Sequence, residues 1–473
     1  MFFSVHTLGC KLNQLETEAI TDAFSRNGFT PFSDGSGGNG IVIVNTCTVT
    51  SMAEQKARRL IRKLLKDHPA ACIIITGCYA QLDKEIIERE FPERVIVIPG
   101  ENKDLLLDLP VFLTAATAKP GLVMTNSLLY DMISSFFSSS SAPSVSQRLY
   151  ESSFQVIPDP SFRFRPEKFA SHSRGFMKIQ DGCDRRCSYC RVSLARGKSR
   201  SLGAEEVLNE LLALEKRGFN EAVLTGVNIT QYRDVDMDLA GLLEFLLDGT
   251  DKIRLRLSSI DPDMLNEKFF DVLANERIRP HFHLSLQSLN EHILAKMGRA
   301  YTPAKIEKTV EKLRLAKYDP FLACDIITAF PGETAGEAEE TRMLCEKIGF
   351  AWIHAFPFSP RPGTAAFDFP GRVNDREAKS RVEALTSLAK KGRQEYLGRW
   401  KGREVEAVIE AGKIRGGSKQ MINGVSENYL KLLINPDYNS SVPVPGSLVK
   451  CRITGITPKD SRFDAFGEII TGI

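Results

Sequence analysis

The chain has 473 residues and a net charge of only +3, from 62 basic and 59 acidic residues, so no global field draws it to nucleic acid. At roughly 150 residues per domain it predicts about three domains, and 42% hydrophobic with 26% charged residues excludes a disordered or fibrous chain. The longest apolar run, Ala71–Ile75, falls far short of the roughly 20 residues that cross a bilayer, and MFFSVHTLGC lacks the basic start and cleavage site of a secretory signal, so a cytoplasmic location with no membrane partner is expected.

Residues 1–112 alternate apolar runs (Phe2–Val5, Ile41–Asn45, Cys72–Thr76, Val95–Pro99) with helix-like segments (Gln14–Arg26, Met52–Lys66, Lys84–Phe91). That rhythm predicts a parallel α/β sheet domain. Residues 113–170, with SSFFSSSSAPS at Ser134–Ser144, read as an irregular linker partly ordered over the surface. From residue 171 to about 400 the rhythm returns six times, at Gly175–Gln180, Glu221–Val227, Ile253–Ser259, His281–Gln287, Phe321–Phe330 and Trp352–Phe358. Repeats of this size predict a partial (β/α)6 barrel with its chemistry at the carboxyl ends of the strands, followed by a long helix over Asn374–Trp400. Residues 401–473 carry short β-like runs at Glu404–Ile409, Tyr429–Ile434, Leu448–Thr454 and Asp464–Ile469, which predict a small all-β barrel. The fold class is thus α/β multidomain.

Ten cysteines are too few for a disulfide scaffold in a chain this long, and a reducing compartment points them to metal or redox chemistry. DGCDRRCSYC at Asp181–Cys190 sets Cys183, Cys187 and Cys190 as C-x3-C-x2-C directly after the first barrel strand. Three thiolates hold three irons of a 4Fe-4S cubane and leave the fourth open to a ligand. Structural zinc needs a fourth ligand, and no Cys or His follows Cys190 until His281. Arg185, Arg186 and Arg191 are expected to favour ionised thiols.

This array after a first barrel strand resembles the radical S-adenosylmethionine superfamily. The resemblance implies S-adenosylmethionine chelated at the open iron and cleaved by one electron to a 5′-deoxyadenosyl radical. Cys10 in HTLGCKLNQLE, Cys47 in IVIVNTCTVT and Cys78 in IIITGCYAQ each follow an apolar run, on βα loops at one sheet edge. By spacing alone each reads more readily as a buried core cysteine, by about two to one. Cys72, Cys324, Cys345 and Cys451 are read as core.

Nearly the whole chain resembles the methylthiotransferases. The three N-terminal boxes carry that resemblance, with HFHLSLQS at His281–Ser288, MGRAYT at Met297–Thr302, FPGET at Phe330–Thr334, FSPRPGT at Phe358–Thr364 and the TRAM-like stretch SENYLKLLI at Ser426–Ile434. It implies a second 4Fe-4S cluster on Cys10, Cys47 and Cys78, where sulfur is methylated by another S-adenosylmethionine before transfer. The lysine after Cys10 and the TVT after Cys47 resemble the branch acting on threonylcarbamoyladenosine in tRNA. The implied reaction is methylthiolation of C2 of that base at position 37, with tRNA bound through its anticodon arm, an external electron donor, and no DNA partner. Alternatives are isopentenyl-adenosine in tRNA or a ribosomal-protein aspartate as target, or a non-catalytic iron–sulfur protein that binds tRNA.

Candidate S-adenosylmethionine contacts are Gly226, Asn228, Ser258, Gln287 and Asp325, polar or small residues at or near strand ends. His281, His283 and His354 are read as hydrogen-bonded strand residues, with no metal. Two basic groups could meet RNA: Lys56–Lys66 on a helix face, and Arg185–Arg200 beside the cluster loop. The chain departs from the family pattern at Ser193 and Ser285, where proline is usual, and at Leu289, where glycine is usual.

Overall fold

The computed structural model describes residues 1–32, 39–118, 124–140, 159–170, 172–416, 419–436, 442–458 and 461–472. These residues form two compact units, Met1–Ala170 with Asp181–Arg185 and Cys190–Lys198, and Ser171–Gln180 with Arg186–Tyr189 and Ser199–Ile473.

Among the described residues of the first unit, β1 (Phe2–Thr7), β2 (Thr30–Pro31), β3 (Gly40–Thr46), β4 (Ala71–Gly77) and β5 (Val95–Val97) form a parallel sheet ordered β2-β1-β3-β4-β5. Every residue of β3 and β4 is buried, as a parallel strand covered on both faces requires. Ile41, Ile43 and Ile74 pack against Ile20 and Phe24 of α1 (Lys11–Arg26), while Val42, Val44 and Ile75 pack against Ala57 and Ile61 of α2 (Ser51–Asp67). The strand order reverses between β1 and β3. In such sheets ligands bind outside the carboxyl ends at that reversal.

The segment expected to be an irregular linker holds two helices, Leu109–Thr117 and Asn126–Ser140. Leu129, Ile133 and Phe136 of the second are buried in the core that includes Cys72 and Ile74 of β4. Their i, i+4, i+7 spacing makes one apolar face, and its burial outweighs the weak helix propensity of the serines between them. The serines at 141 and 144 lie outside the described residues.

In the second unit, six successive parallel strands form the curved sheet of a partial barrel: Gly175–Lys178, Glu221–Thr225, Arg254–Leu257 continued by Ser259–Ile260, His281–Gln287, Phe321–Thr328 and Trp352–Pro357. The break in the third strand divides its pairing, Arg254–Leu257 to the second strand and Ser259–Ile260 to the fourth. Asp375–Trp400 is the long helix, with Asn374 accepting from the Glu377 N–H as its N-cap.

Glu404–Gly416, Lys419–Ser426, Lys431–Asn435, Leu448–Ile456 and Ala465–Gly472 close a five-stranded barrel. The strand Lys419–Ser426 has no counterpart among the sequence-derived runs. This small barrel docks at the amino ends of the large barrel's strands through a buried ionic network. Glu221, fully buried, receives Arg256 Nε at 2.6 Å and Arg279 Nε at 3.0 Å. Arg279 continues to Glu406 at 2.7 Å, and Arg256 donates to the carbonyls of Ser426 and Glu427, each at 3.0 Å.

Candidate active site

Cys10 follows β1, Cys47 follows β3 and Cys78 follows β4, so three adjacent strands deliver three thiols to the carboxyl edge at the strand-order reversal. Cys10 is the N-cap of α1, whose amide dipoles favour a thiolate.

The loops are knitted together by backbone. Asn13 Nδ2 donates to Leu8 O at 2.8 Å and to Thr46 O at 3.1 Å, and Asn45 Nδ2 donates to Asn13 O at 3.1 Å. At Gly9 (φ +117°) a Cβ would stand 2.8 Å from Cys47 Cβ and 3.2 Å from its Sγ; at Gly77 (φ +100°) it would stand 2.4 Å from Thr46 O. Only glycine permits both the conformation and the approach. Gly77→Ala is expected to cut the iron held per chain by about half on reconstitution, one of two centres. Iron analysis checks this, and full iron content would show that the loops yield without losing the site.

Charge at the trio comes from Arg196. Its buried guanidinium donates to Glu16 Oε1 at 3.0 Å, Asn13 Oδ1 at 3.1 Å and Asp181 Oδ1 at 3.1 Å, and Lys103 pairs with Glu16 beside it. Burial pushes the Cys47 thiol up to about 11, against the pull of the Val49 amide and Arg196; Cys10 is exposed as a residue, yet desolvation of its thiol raises its pKa, with Arg196 opposing. Thiols so desolvated lose their protons to bound iron, and a fixed cation beside them offsets the charge. The donor set therefore fits a cluster held by three thiolates. Cys72, Cys324, Cys345 and Cys451 are buried within strands and a helix, as core cysteines.

The segment Cys183–Cys190 is neither helix nor strand, so its spacing is not a buried helical face. In the first unit, the Cys183 N–H donates to Gly197 O at 3.0 Å and Cys190 Sγ accepts the Val192 N–H at 3.4 Å. In the second, the Ser188 N–H donates to Met297 O at 3.0 Å, and Gly298 (φ +73°) brings its backbone close to Arg186 O and Cys187 Cα.

The expected service of Arg191 to the thiols is corrected. Arg191 is buried against Asp83 Oδ2 at 3.1 Å and Glu54 Oε1 at 3.3 Å. With Arg196 it is committed to internal ion pairs, so neither can neutralise phosphate, and the basic group Arg185–Arg200 is smaller than the sequence promised. On the helix Ser51–Asp67, Arg58 and Arg62 pair with Glu90, while Lys56, Arg59, Lys63 and Lys66 remain exposed. Cys187 instead feels Arg299, which sequence reasoning noted only as part of MGRAYT. Burial opposes that charge, but Tyr189, Tyr301, Cys187 and Asp261 hold its pKa above the ordinary value.

The candidate cofactor contacts divide. Gly226 and Asn228 lie just past the second strand, packed on Gln180, whose Oε1 accepts the Asn228 N–H at 2.8 Å. A Cβ at Gly226 would stand 2.8 Å from that same oxygen. Gln180 was not singled out in the sequence; its position immediately before DGC was the available signal. Ser258 carries a buried Oγ with no hydrogen-bond partner among the described residues. Gln287 ends the fourth strand in a left-handed conformation (φ +69°), where its pairing with the fifth strand is irregular. Asp325 does not join them. It sits three residues short of the end of its strand, with His283 Nε2 3.2 Å from its Oδ1.

Residues 3–99 match the family model described as "Uncharacterized protein family UPF0004", and residues 177–345 match the "Radical SAM superfamily" model. Threonylcarbamoyladenosine tRNA methylthiotransferase MtaB of Treponema pallidum is 40% identical over 460 residues, covering 91% of this chain and 94% of that protein. The protein of the same name from Thermotoga maritima is 33% identical, covering 90% of each chain. A tRNA-2-methylthio-N(6)-dimethylallyladenosine synthase from Chlorobaculum tepidum is 29% identical over 96% of each chain. The chain belongs to the family of threonylcarbamoyladenosine tRNA methylthiotransferases.

Proposed function

We propose that this protein methylthiolates C2 of N6-threonylcarbamoyladenosine at position 37 of tRNA, 3′ to the anticodon, using S-adenosylmethionine and two 4Fe-4S clusters. Cys10, Cys47 and Cys78 would hold one cluster, and Cys183, Cys187 and Cys190 the other. The observation that carries the reading is the delivery of three thiols by three adjacent strands to the sheet edge at the strand-order reversal, in a chain that also has C-x3-C-x2-C after its first barrel strand. When bound, an open-iron cluster supplies reductive cleavage of S-adenosylmethionine at one site and sulfur for transfer at the other.

The remaining work belongs to the chain. Arg196 holds positive charge against the first trio, and Arg299 against Cys187. Gln180 fixes the Gly226–Asn228 turn, where backbone at a glycine gives an amino-acid headgroup close approach. Ser258 offers an unspent hydroxyl to the same ligand, and Gln287 an amide. The anticodon arm of tRNA and an external one-electron donor are the partners, and the cytoplasm is the location. No described helix is long and apolar enough to cross a membrane. The working divisions are residues 1–112, a segment 113–170 whose helix Asn126–Ser140 packs into the first unit's core, the barrel over 171–400 and the TRAM-like barrel over 401–473.

Nucleoside mass spectrometry of tRNA from a deletion strain tests the assignment. The 2-methylthio-threonylcarbamoyladenosine peak should vanish, with its unmethylthiolated precursor accumulating. Loss of the isopentenyl product instead, or of the ribosomal aspartate modification, would move the substrate.

A further inference from the structure

Inside the large barrel lies a polar group that neither cysteine trio uses. On the fourth strand Phe282, Leu284 and Leu286 are buried, while His283, Ser285 and Gln287 between them are partly open. On the fifth, Cys324 turns outward to the free thiol of Cys345 on the helix Ala335–Ile348, so Asp325, the next residue, turns inward. His354 on the sixth strand is its register partner.

The layer beneath is closed. His281 stacks on Phe321 and packs against Tyr429 of the small barrel, with ring centroids at 5.6 and 4.2 Å. His283, Asp325 and His354 thus form the first open layer above a sealed floor.

Their geometry is specific. His283 Nε2 lies 3.2 Å from Asp325 Oδ1, and Ser259 Oγ lies 2.6 Å from His283 Nδ1. One ligand atom from each of His283, Asp325 and His354 lies within 4.8 Å of the others. Two histidines and a carboxylate can hold a metal ion, but the hydrogen bonding opposes that use. Trp352 Nε1–H, which can only donate, donates to His354 Nδ1 at 3.2 Å. Nδ1 therefore carries the lone pair, and the neutral ring carries its proton on Nε2. It offers a donor where a metal would need a second lone pair. Partial desolvation and the neighbouring His283 lower the pKa of the ring, with Asp325 opposing.

We propose that His354 and Asp325 form the subsite that reads the N6-threonylcarbamoyl substituent, with His354 Nε2–H donating to one of its oxygens and Asp325 accepting from its N–H or hydroxyl. His283 is a positioning residue, fixed at Nδ1 by Ser259, whose Nε2 edge lies beside Asp325. The inference rests on the proposed function and assigns the part of the substrate that distinguishes it. The substituent combines a ureido group, a hydroxyl and a carboxylate. An isopentenyl group has no polar atom, so its entry would leave these side chains unpaired, and hydrogen-bonding sites discriminate strongly against such analogues.

The test measures binding and turnover with the reconstituted holoenzyme. The probes are three anticodon stem-loops that differ only at position 37: threonylcarbamoyladenosine, isopentenyl-adenosine or adenosine. His354→Phe, which keeps an aromatic ring and removes the donor, should lower the preference for threonylcarbamoyladenosine over adenosine by about tenfold or more, the value of one hydrogen bond. His354→Gln, which restores an N–H donor, should recover much of it, a result a merely structural role would not give. Iron content serves as the folding control. A wild-type preference in His354→Phe with full iron overturns the subsite while leaving the proposed function intact. A wild-type enzyme that acts only on the isopentenyl stem-loop overturns the function itself. A stoichiometric non-cluster metal, present in the wild type and lost in His354→Phe, overturns the donor role.

Discussion

Cys47→Ala should retain about half of roughly eight irons and form no methylthio product, yet still yield 5′-deoxyadenosine under strong reduction. The expectation follows from the separate anchoring of Cys47 and Cys187. Cys47 ends β3 in a loop tied by Asn13, while Cys187 is fixed through Ser188 and Gly298 on a different part of the chain. Removing one of three ligands undoes one centre without pulling on the other. Cys187→Ala should show the converse, with 5′-deoxyadenosine absent and the first trio's iron retained. Iron analysis and chromatography of the cleavage product read both variants. Cleavage lost in Cys47→Ala with both centres intact would break this division of labour.

Glu221→Ala should destabilise the second unit by about 3–5 kcal/mol, the range for removing one partner of a buried ion pair. The carboxylate faces Arg256, Arg279 and Arg174, and its loss leaves three guanidiniums buried with less than their share of negative charge. Calorimetry of the full chain should show the transition of this unit shifted down. Glu404→Gln, which breaks only exposed pairs with Lys450 and Arg452, should leave it nearly unmoved. The same residue sets a pH dependence. Burial would raise its pKa, but the arginines outweigh burial and hold it at about 2, below its ordinary 4.5. Its contribution is therefore complete above pH 4.5 and is lost as pH falls from 4.5 towards 2. An unchanged transition in Glu221→Ala would mean that the docking rests on apolar contacts alone.

Much of this architecture was legible because parallel strands buried on both faces announce themselves as unbroken apolar runs. Ala71–Gly77 is one such strand, and the runs near Glu221 and Trp352 carried the barrel count. The strand Lys419–Ser426 was not legible, since KQMINGVS has little apolar content and owes its strand state to pairing on both sides within a closed barrel. Asn126–Ser140 was hidden by its serines, although the spacing of Leu129, Ile133 and Phe136 could have revealed it. At the site, the cysteines stood out by pattern, whereas the duties of Arg191 and Arg196 did not. Their carboxylate partners Glu54, Asp83 and Glu16 lie more than a hundred residues away in the chain, and a positive charge in sequence carries no sign of whom it meets. The neighbour of Asp325 was hidden for a related reason: nothing in the sequence says that the side chain of His283, from the strand before, lies beside it.

The first compact unit is discontinuous, since it takes in Asp181–Arg185 and Cys190–Lys198 from beyond the start of the barrel. A nascent chain stopped at Ala170 would carry Cys10, Cys47 and Cys78 but lack Arg196, the guanidinium that pairs with Glu16 beside them. Metal loading of the earliest-made thiols is thereby tied to translation well past them. An isolated amino-terminal fragment would be a poor stand-in for the intact protein in any dissection of its iron chemistry.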